Sequence, residues 1–476
     1  MVQTRSTPTA SNTTTTGPRC PGCRDRDSII ADLRERLQQA DYQLHYLRER
    51  LSRNTTNSSI PPSANPLDAP KPKTKKPSGR KRGAQEGHAP ANRERVPREQ
   101  LAEPPIDCIP ETCEHCAAAL SGLDPLPLPH QVTEIPPITP EVREYLRHTL
   151  QCRQCGQWTR GRLPDGVSES AFGPRLQAFI SICTGCYHLS KRQTEELLTT
   201  ALNVPISLGS ICRVEQHVSA ALAEPVAQAH EHLRRSDVAY ADETSWKQQP
   251  HKAWLWVGVT AYLAVFLIRS KRDGPSAQAL LGENFGGVVV SDRYATYNSF
   301  EWRQICWAHL RRDWQAMIDR GGPSEEIGQH LLDLTDQMFD LWHQVRDGTL
   351  DRDLFRFYTI SLRYDIAEWL RLGTDCAHPT TAGTCREILK VEEDLWTFVK
   401  VEGVEPTNNT AERTLRQAVL WRKKSFGTRS QAGSQYVERI LTVVASCRLQ
   451  GRNALEYLTE VCQAAHENKP SPSLVP

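Results

Sequence analysis

Three acidic residues stand out by what precedes them. Val238-Ala239-Tyr240-Ala241 is an apolar, β-prone run that delivers Asp242, with the hydroxyls of Thr244 and Ser245 close behind. Fifty positions on, Gly287-Val288-Val289-Val290-Ser291-Asp292 repeats the device. A valine triplet between Gly-Gly and polar residues predicts a buried central strand. Two such strands side by side bring both carboxylates to one edge of a sheet, with a turn expected directly after Asp242. Glu412 stands in Thr407-Asn408-Asn409-Thr410-Ala411-Glu412-Arg413-Thr414-Leu415-Arg416, which reads as a helix start. Three carboxylates are hard oxygen donors suited to Mg²⁺ or Mn²⁺. Two such ions, about 4 Å apart, clamp the attacking and leaving oxygens of a phosphoryl displacement. Any one of these acids alone reads as an ordinary surface residue, since the chain has 56. Their three contexts together predict a site.

Cysteines form a second constellation. Cys113-Glu-His-Cys116 is matched by Cys152-Arg-Gln-Cys155. Two such pairs predict a tetrahedral four-thiolate Zn²⁺ site, structural because four thiolates leave no open position. A redox dithiol needs only one pair. Strands are expected between the pairs, over residues 134–140 and 142–150. Cys20 and Cys23 are half a metal site or two unligated thiols. Cys183 and Cys186, in an apolar helical stretch, read as small core residues. Fifteen cysteines, an odd number, behind a polar N-terminus without a secretory apolar run predict a reducing cytoplasm rather than a disulfide scaffold.

Net charge is only +2, but it is unevenly spread. Residues 1–100 carry 19 Lys and Arg against 10 Asp and Glu, and the remainder 39 against 46. The basic excess centres on a Pro- and Gly-rich run holding Lys75, Lys76, Arg80, Lys81 and Arg82. Such a run neutralises phosphates without reading sequence, or serves as a solvated tether. His309 and Arg312 follow the second acidic strand. Arg413, Arg416, Arg422, Lys423 and Lys424 follow Glu412, with Arg416 one helical turn from it. All are candidate DNA contacts.

The elements that must position these residues give a multidomain α+β and α/β chain. Residues 1–27 read as a disordered N-terminus. Residues 28–53 read as a coiled coil, because Ile30, Leu33, Leu37, Ala40, Leu44, Leu47 and Leu51 alternate by three and four. Residues 54–105 are a basic linker and 106–165 the zinc module. Residues 166–235 read as a helical, helix-turn-helix-like DNA-binding region, with Ser207 or Ser210 capping its later helix. The catalytic domain occupies 236–314 and 401–430, interrupted by a helical insertion over 315–400, and two helices fill 431–476. Residues 253–268 lack charge but are too short to span a bilayer, and read as two buried strands joined near Thr260, so no membrane role is expected. Three strands, a helix and a fourth strand, with acids ending the first and fourth, is the order of a ribonuclease-H-like sheet.

ADETS around Asp242, SDRYATYN around Asp292, CWAHLRR at 306–312 and TNNTAERTLR leading into WRKKSFG together resemble the DDE transposases of bacterial insertion sequences, in the branch numbered sixty-six. The resemblance runs over nearly the whole chain. It implies that Asp242, Asp292 and Glu412 are the metal-binding triad, that Cys113, Cys116, Cys152 and Cys155 hold zinc, and that DNA is cut at element ends and joined to a target. It also implies small companion proteins from the same element, while the heptad stripe itself predicts a homodimer or higher assembly through the coiled coil. Cys20, Cys23 and Pro406-Thr407 depart from the family pattern. Two other functions remain open from the residues: a nuclease on the same sheet without strand transfer, and a zinc-containing DNA-binding regulator.

Overall fold

The computed structural model describes residues 21–58 and 94–476. Within them the chain forms two compact units, one of residues 21–58, 226–434 and 474–476, the other of residues 94–225 and 435–473. Cys20 and the basic residues Lys75, Lys76, Arg80, Lys81 and Arg82 lie outside the described residues.

Helix α1 (Pro21–Ser52) is a single 32-residue helix. Its apolar stripe is exposed, with Leu33 at 57% and Leu37 at 66%. The segment's far end is fastened within its own unit, where Glu49 pairs with Arg320 at 2.9 Å and Asn57 donates to Asp319 at 2.7 Å.

In the other unit, β1 (Thr149–Gln151) and β2 (Trp158–Arg160) make an antiparallel ribbon. The strands expected over 134–140 and 142–150 do not form, apart from the two residues that open β1. Pro136, Pro137 and Pro140 have no N–H to give a ladder. Helices α2 (Pro174–Gly185), α3 (Lys191–Ala201) and α4 (Leu208–Ala221) follow. Ser190 and Gln193 close a capping box on α3, and Ser207 caps α4. Cys183 is buried in α2, whereas Cys186 at its C-cap is only half-buried.

After α5 (Ala223–Arg234) come β3 (Val238–Gln248), β4 (His251–Val259), β5 (Ala264–Arg269), α6 (Gly274–Leu281), β6 (Val288–Ser291) and β7 (Arg303–Ile305). They form one mixed sheet in the order β5-β4-β3-β6-β7. β4 runs antiparallel to β3 and β5, while β6 runs parallel to β3 and β7. The turn expected just after Asp242 is absent. Thr244 and Ser245 continue β3 and pair with Leu255 and Trp254, because Trp246 beyond them is buried and carries the strand onward. The expected reversal near Thr260 does form, with Thr260 Oγ1 accepting the Leu263 N–H at 3.1 Å. At Gly287 any Cβ would collide with the Ser236 and Asp237 carbonyls, so only glycine lets β6 enter beside β3.

Helices α7 (Trp307–Arg320), α8 (Pro323–Asp347), α9 (Arg352–Thr374), α10 (Pro379–Leu389) and α11 (Thr397–Lys400) separate the sheet from α12 (Asn409–Ser425). Edge-to-face rings fasten this helical block, Trp307 to Trp396 at 5.0 Å and Trp342 to Phe398 at 5.2 Å. Buried Gln304 in β7 donates to Leu395 O at 3.0 Å and accepts from Phe398 N at 2.8 Å. The chain closes with α13 (Gln431–Leu449) and α14 (Ala454–His466), separated at Gly451, whose φ of 66° suits glycine. Among the described residues no helix is long and apolar enough to cross a membrane.

Candidate active site

The register of the sheet explains how two acids fifty positions apart become neighbours. Tyr240 pairs with Val290 at the end of the parallel β3–β6 ladder, so Asp242 and Asp292 each lie two residues beyond that pair, Asp242 still within β3 and Asp292 just past β6. Asp242 is half-buried, and its carboxyl is pushed well above the usual range by burial, by the Glu243 carboxylate and by Asp292, with a smaller contribution from Glu412. Asp292 Oδ1 accepts the Tyr294 N–H at 2.9 Å.

Glu412 sits in the first turn of α12, where the helix dipole favours a carboxylate. Its Oε1 is buried and accepts no hydrogen bond among the described residues. His309 Nε2 is 3.7 Å from it. Burial and the Arg312 charge hold the His309 imidazole below its ordinary pKa, so it is neutral at physiological pH.

One residue ties these pieces together. Asn408, buried at the N-cap of α12, donates from Nδ2 to Ala241 O at 2.8 Å, immediately before Asp242. Its backbone N–H donates to Cys306 Sγ at 3.2 Å, and its carbonyl accepts the Glu412 N–H at 3.1 Å. Asn408 thus fixes the helix bearing Glu412 to the strand bearing Asp242. The sequence shows the double Asn but not this bond, since the side chain caps nothing on its own helix and reaches across to β3.

Glu243, also missed from sequence, lies buried beside Asp242. It accepts from Arg272 Nε at 2.6 Å and from the Tyr297 hydroxyl. Arg272 stacks on Tyr294, 3.6 Å from the ring centroid, so Glu243 braces the segment that follows Asp292.

Among the expected DNA contacts, Arg413, Arg416, Lys423 and Lys424 are exposed on α12, and Arg312 is half-buried on α7. Arg422 instead turns inward, donating to Thr244 Oγ1 at 2.9 Å and to the Ser245 hydroxyl at 2.5 Å. It holds α12 against β3.

The two CxxC pairs adopt the same turn. Ala117 N–H returns to Cys113 O at 2.8 Å and Gly156 N–H to Cys152 O at 2.9 Å, and both donors have positive φ. A rung closes each turn, Thr112 with Ala119 and Gln151 with Trp158. Backbone N–H groups turned towards the first sulfur lower the Cys113 thiol pKa, chiefly from His115, and that of Cys152, chiefly from Cys155. Each pair is drawn together, but among the described residues the four sulfurs are not gathered into a single cluster within 4.8 Å.

Comparison with known proteins bears on what this arrangement serves. A model described as a family of unknown function matches residues 21–94. Two proteins of Sinorhizobium fredii, both described as uncharacterized, are similar to this chain. The protein y4hP is 25% identical over 412 residues, covering 78% of this chain and 71% of its own. The protein y4qI is 24% identical over 265 residues, covering 48% of each, so the chain spans about half of that relative's length. The model of the transposase IS66 family matches residues 169–436, more than half of the chain and all of the mixed sheet with the helices that follow it as far as α12. The chain belongs to the IS66 transposase family.

Proposed function

We propose that the protein is a DDE transposase that cuts DNA at insertion-sequence ends and joins the freed 3′ end to a target. The observation that carries this reading is the convergence of Asp242, Asp292 and Glu412, whose mutual repulsion is felt at Asp242. The strand order, with Asp242 inside β3 just past its pairing with β6 and Asp292 directly after β6, supports a ribonuclease-H-like domain interrupted by a helical insertion.

The donor set fits a hard divalent cation. No Lys or Arg pairs with any of the three carboxylates among the described residues, and Glu412 Oε1 is left without a hydrogen bond. Asp242, Asp292 and Glu412 would hold Mg²⁺ or Mn²⁺, which when bound supplies Lewis-acid stabilisation of charge on the phosphoryl oxygens. The protein's own part is positioning. Asn408 and Arg422 lock α12 to β3, and the exposed cations of α12 hold DNA phosphates. Cys113, Cys116, Cys152 and Cys155, presented by two matching knuckles, would hold structural Zn²⁺.

Asp242→Asn, Asp292→Asn and Glu412→Gln should each abolish Mg²⁺-dependent cleavage of DNA carrying element ends while DNA binding persists. Undiminished cutting by Asp292→Asn removes the triad. Cleavage without joined product favours a nuclease, and binding without cleavage favours a regulator.

A further inference from the structure

A cluster that the triad does not explain lies on its flank. Ligand-capable atoms of Cys306, His309 and Glu412 all fall within 4.8 Å of one another, the only such group among the described residues. Rigid elements supply all three. Cys306, fully buried, is the N-cap of α7 and donates its N–H to Ser291 O at 2.9 Å. His309 lies in the first turn of α7, and Glu412 in that of α12. Two buried atoms of the cluster, Glu412 Oε1 and His309 Nδ1, have no hydrogen-bond partner among the described residues.

Thiol sulfur, imidazole nitrogen and carboxylate oxygen do not make a Mg²⁺ cage, because that ion selects oxygen. They suit a borderline cation, for which three protein ligands and one open position is a common arrangement. We propose that Cys306, His309 and Glu412 form a site for a Zn²⁺-class cation that shares Glu412 with the acidic triad. Its occupancy withdraws Glu412 from Mg²⁺ and so silences cleavage. On binding, the Cys306 thiol releases its proton to solvent, and the Asn408 N–H already facing Sγ at 3.2 Å supports the thiolate. The binding follows from these side chains alone, whereas the silencing also rests on the proposed triad.

Co²⁺ titration of the full-length protein tests the binding, read by thiolate-to-metal charge-transfer absorption, which Mg²⁺ does not give. Wild type should bind one thiolate-ligated equivalent more than Cys306→Ser, beyond what the 113–155 cysteines bind in both. Equal stoichiometry overturns the site. Because Cys306 is fully buried, His309→Gln provides an arm that keeps the thiol. It should weaken that equivalent by more than about 10-fold, the lower end of what losing even an outer partner costs. Unchanged affinity overturns the site equally. In a cleavage assay with excess Mg²⁺, Zn²⁺ should inhibit wild type as that equivalent fills. Filling without inhibition overturns the sharing of Glu412. A wild-type protein that never cleaves counts against the transposase reading and leaves the titration to decide the site.

Discussion

At Asp242, burial and the surrounding carboxylates oppose ionisation in the folded chain. An unfolded chain releases this proton near the ordinary aspartate value of 3.8, and the folded chain only at higher pH. The fold therefore binds more protons than the unfolded chain over that interval. It loses stability as pH rises through the interval, and carries no such penalty below its lower end. Asp242→Asn should accordingly raise the melting temperature of the metal-free protein at neutral pH, by about 2–4 °C for each kcal/mol of repulsion relieved. The gain should fade in acid, and Mg²⁺ should stabilise wild type more than the variant. A lower melting temperature at pH 7 would contradict this repulsion. Asn408→Ala should cost about 1–3 kcal/mol by leaving the Ala241 carbonyl unpaired, and should reduce cleavage turnover more than DNA affinity. Equal losses in both would reduce Asn408 to a structural residue. Asp242 and Asp292 are legible because each directly follows an apolar, β-prone run, and Glu412 because its segment reads as a helix start. Asn408 and Glu243 are not, because their partners lie on other elements and no period along the chain points to them.

Most elements follow from local rules. The Ser190 and Ser207 caps, the Thr260 reversal and the valine strand β6 all stand where residue type and spacing put them. Failures occur where neighbours overrule the local pattern. Thr244 and Ser245 look like a turn, yet the β4 ladder and buried Trp246 keep them extended. Residues 134–140 carry β-branched Ile135, Ile138 and Thr139, yet three prolines deny them a ladder. For α1, the seven-residue apolar period predicts a seam, and the helix presents Leu33, Leu37, Leu44 and Leu47 at 50% exposure or more. We expect two copies to pair along it, covering that stripe. Leu37→Glu with Leu44→Glu should convert the assembly to monomer in sedimentation experiments without altering the melting of the catalytic sheet. An unchanged sedimentation coefficient refutes the seam. At the knuckles, a strong chelator should remove zinc and loosen residues 108–160 in hydrogen exchange, leaving the protection of β3 and β6 intact.

For the molecule as a whole, a net charge of +2 conceals a basic front end and a mildly acidic remainder. The DNA-facing chemistry therefore has to be local. Exposed Arg413, Arg416, Lys423 and Lys424 give α12 a cationic flank on the same helix that carries Glu412. On the proposed function, phosphates drawn to that flank would arrive beside the acids, whose own charge would repel DNA until a cation neutralised it. Binding through the flank should thus depend on both salt and divalent ions. Replacing Arg416, Lys423 and Lys424 with Ala should weaken binding to all DNA sequences alike. It should also reduce the slope of log affinity against log salt by about 0.9 for each phosphate no longer neutralised. Arg422→Ala should behave differently, because that guanidinium is occupied by Thr244 and Ser245. It should leave the salt slope nearly unchanged while lowering cleavage, since α12 is then less firmly seated on β3. If Arg422→Ala instead shifts the slope as much as Lys423→Ala, its inward bonds give way to DNA, and the division between the holding and binding residues of α12 is wrong.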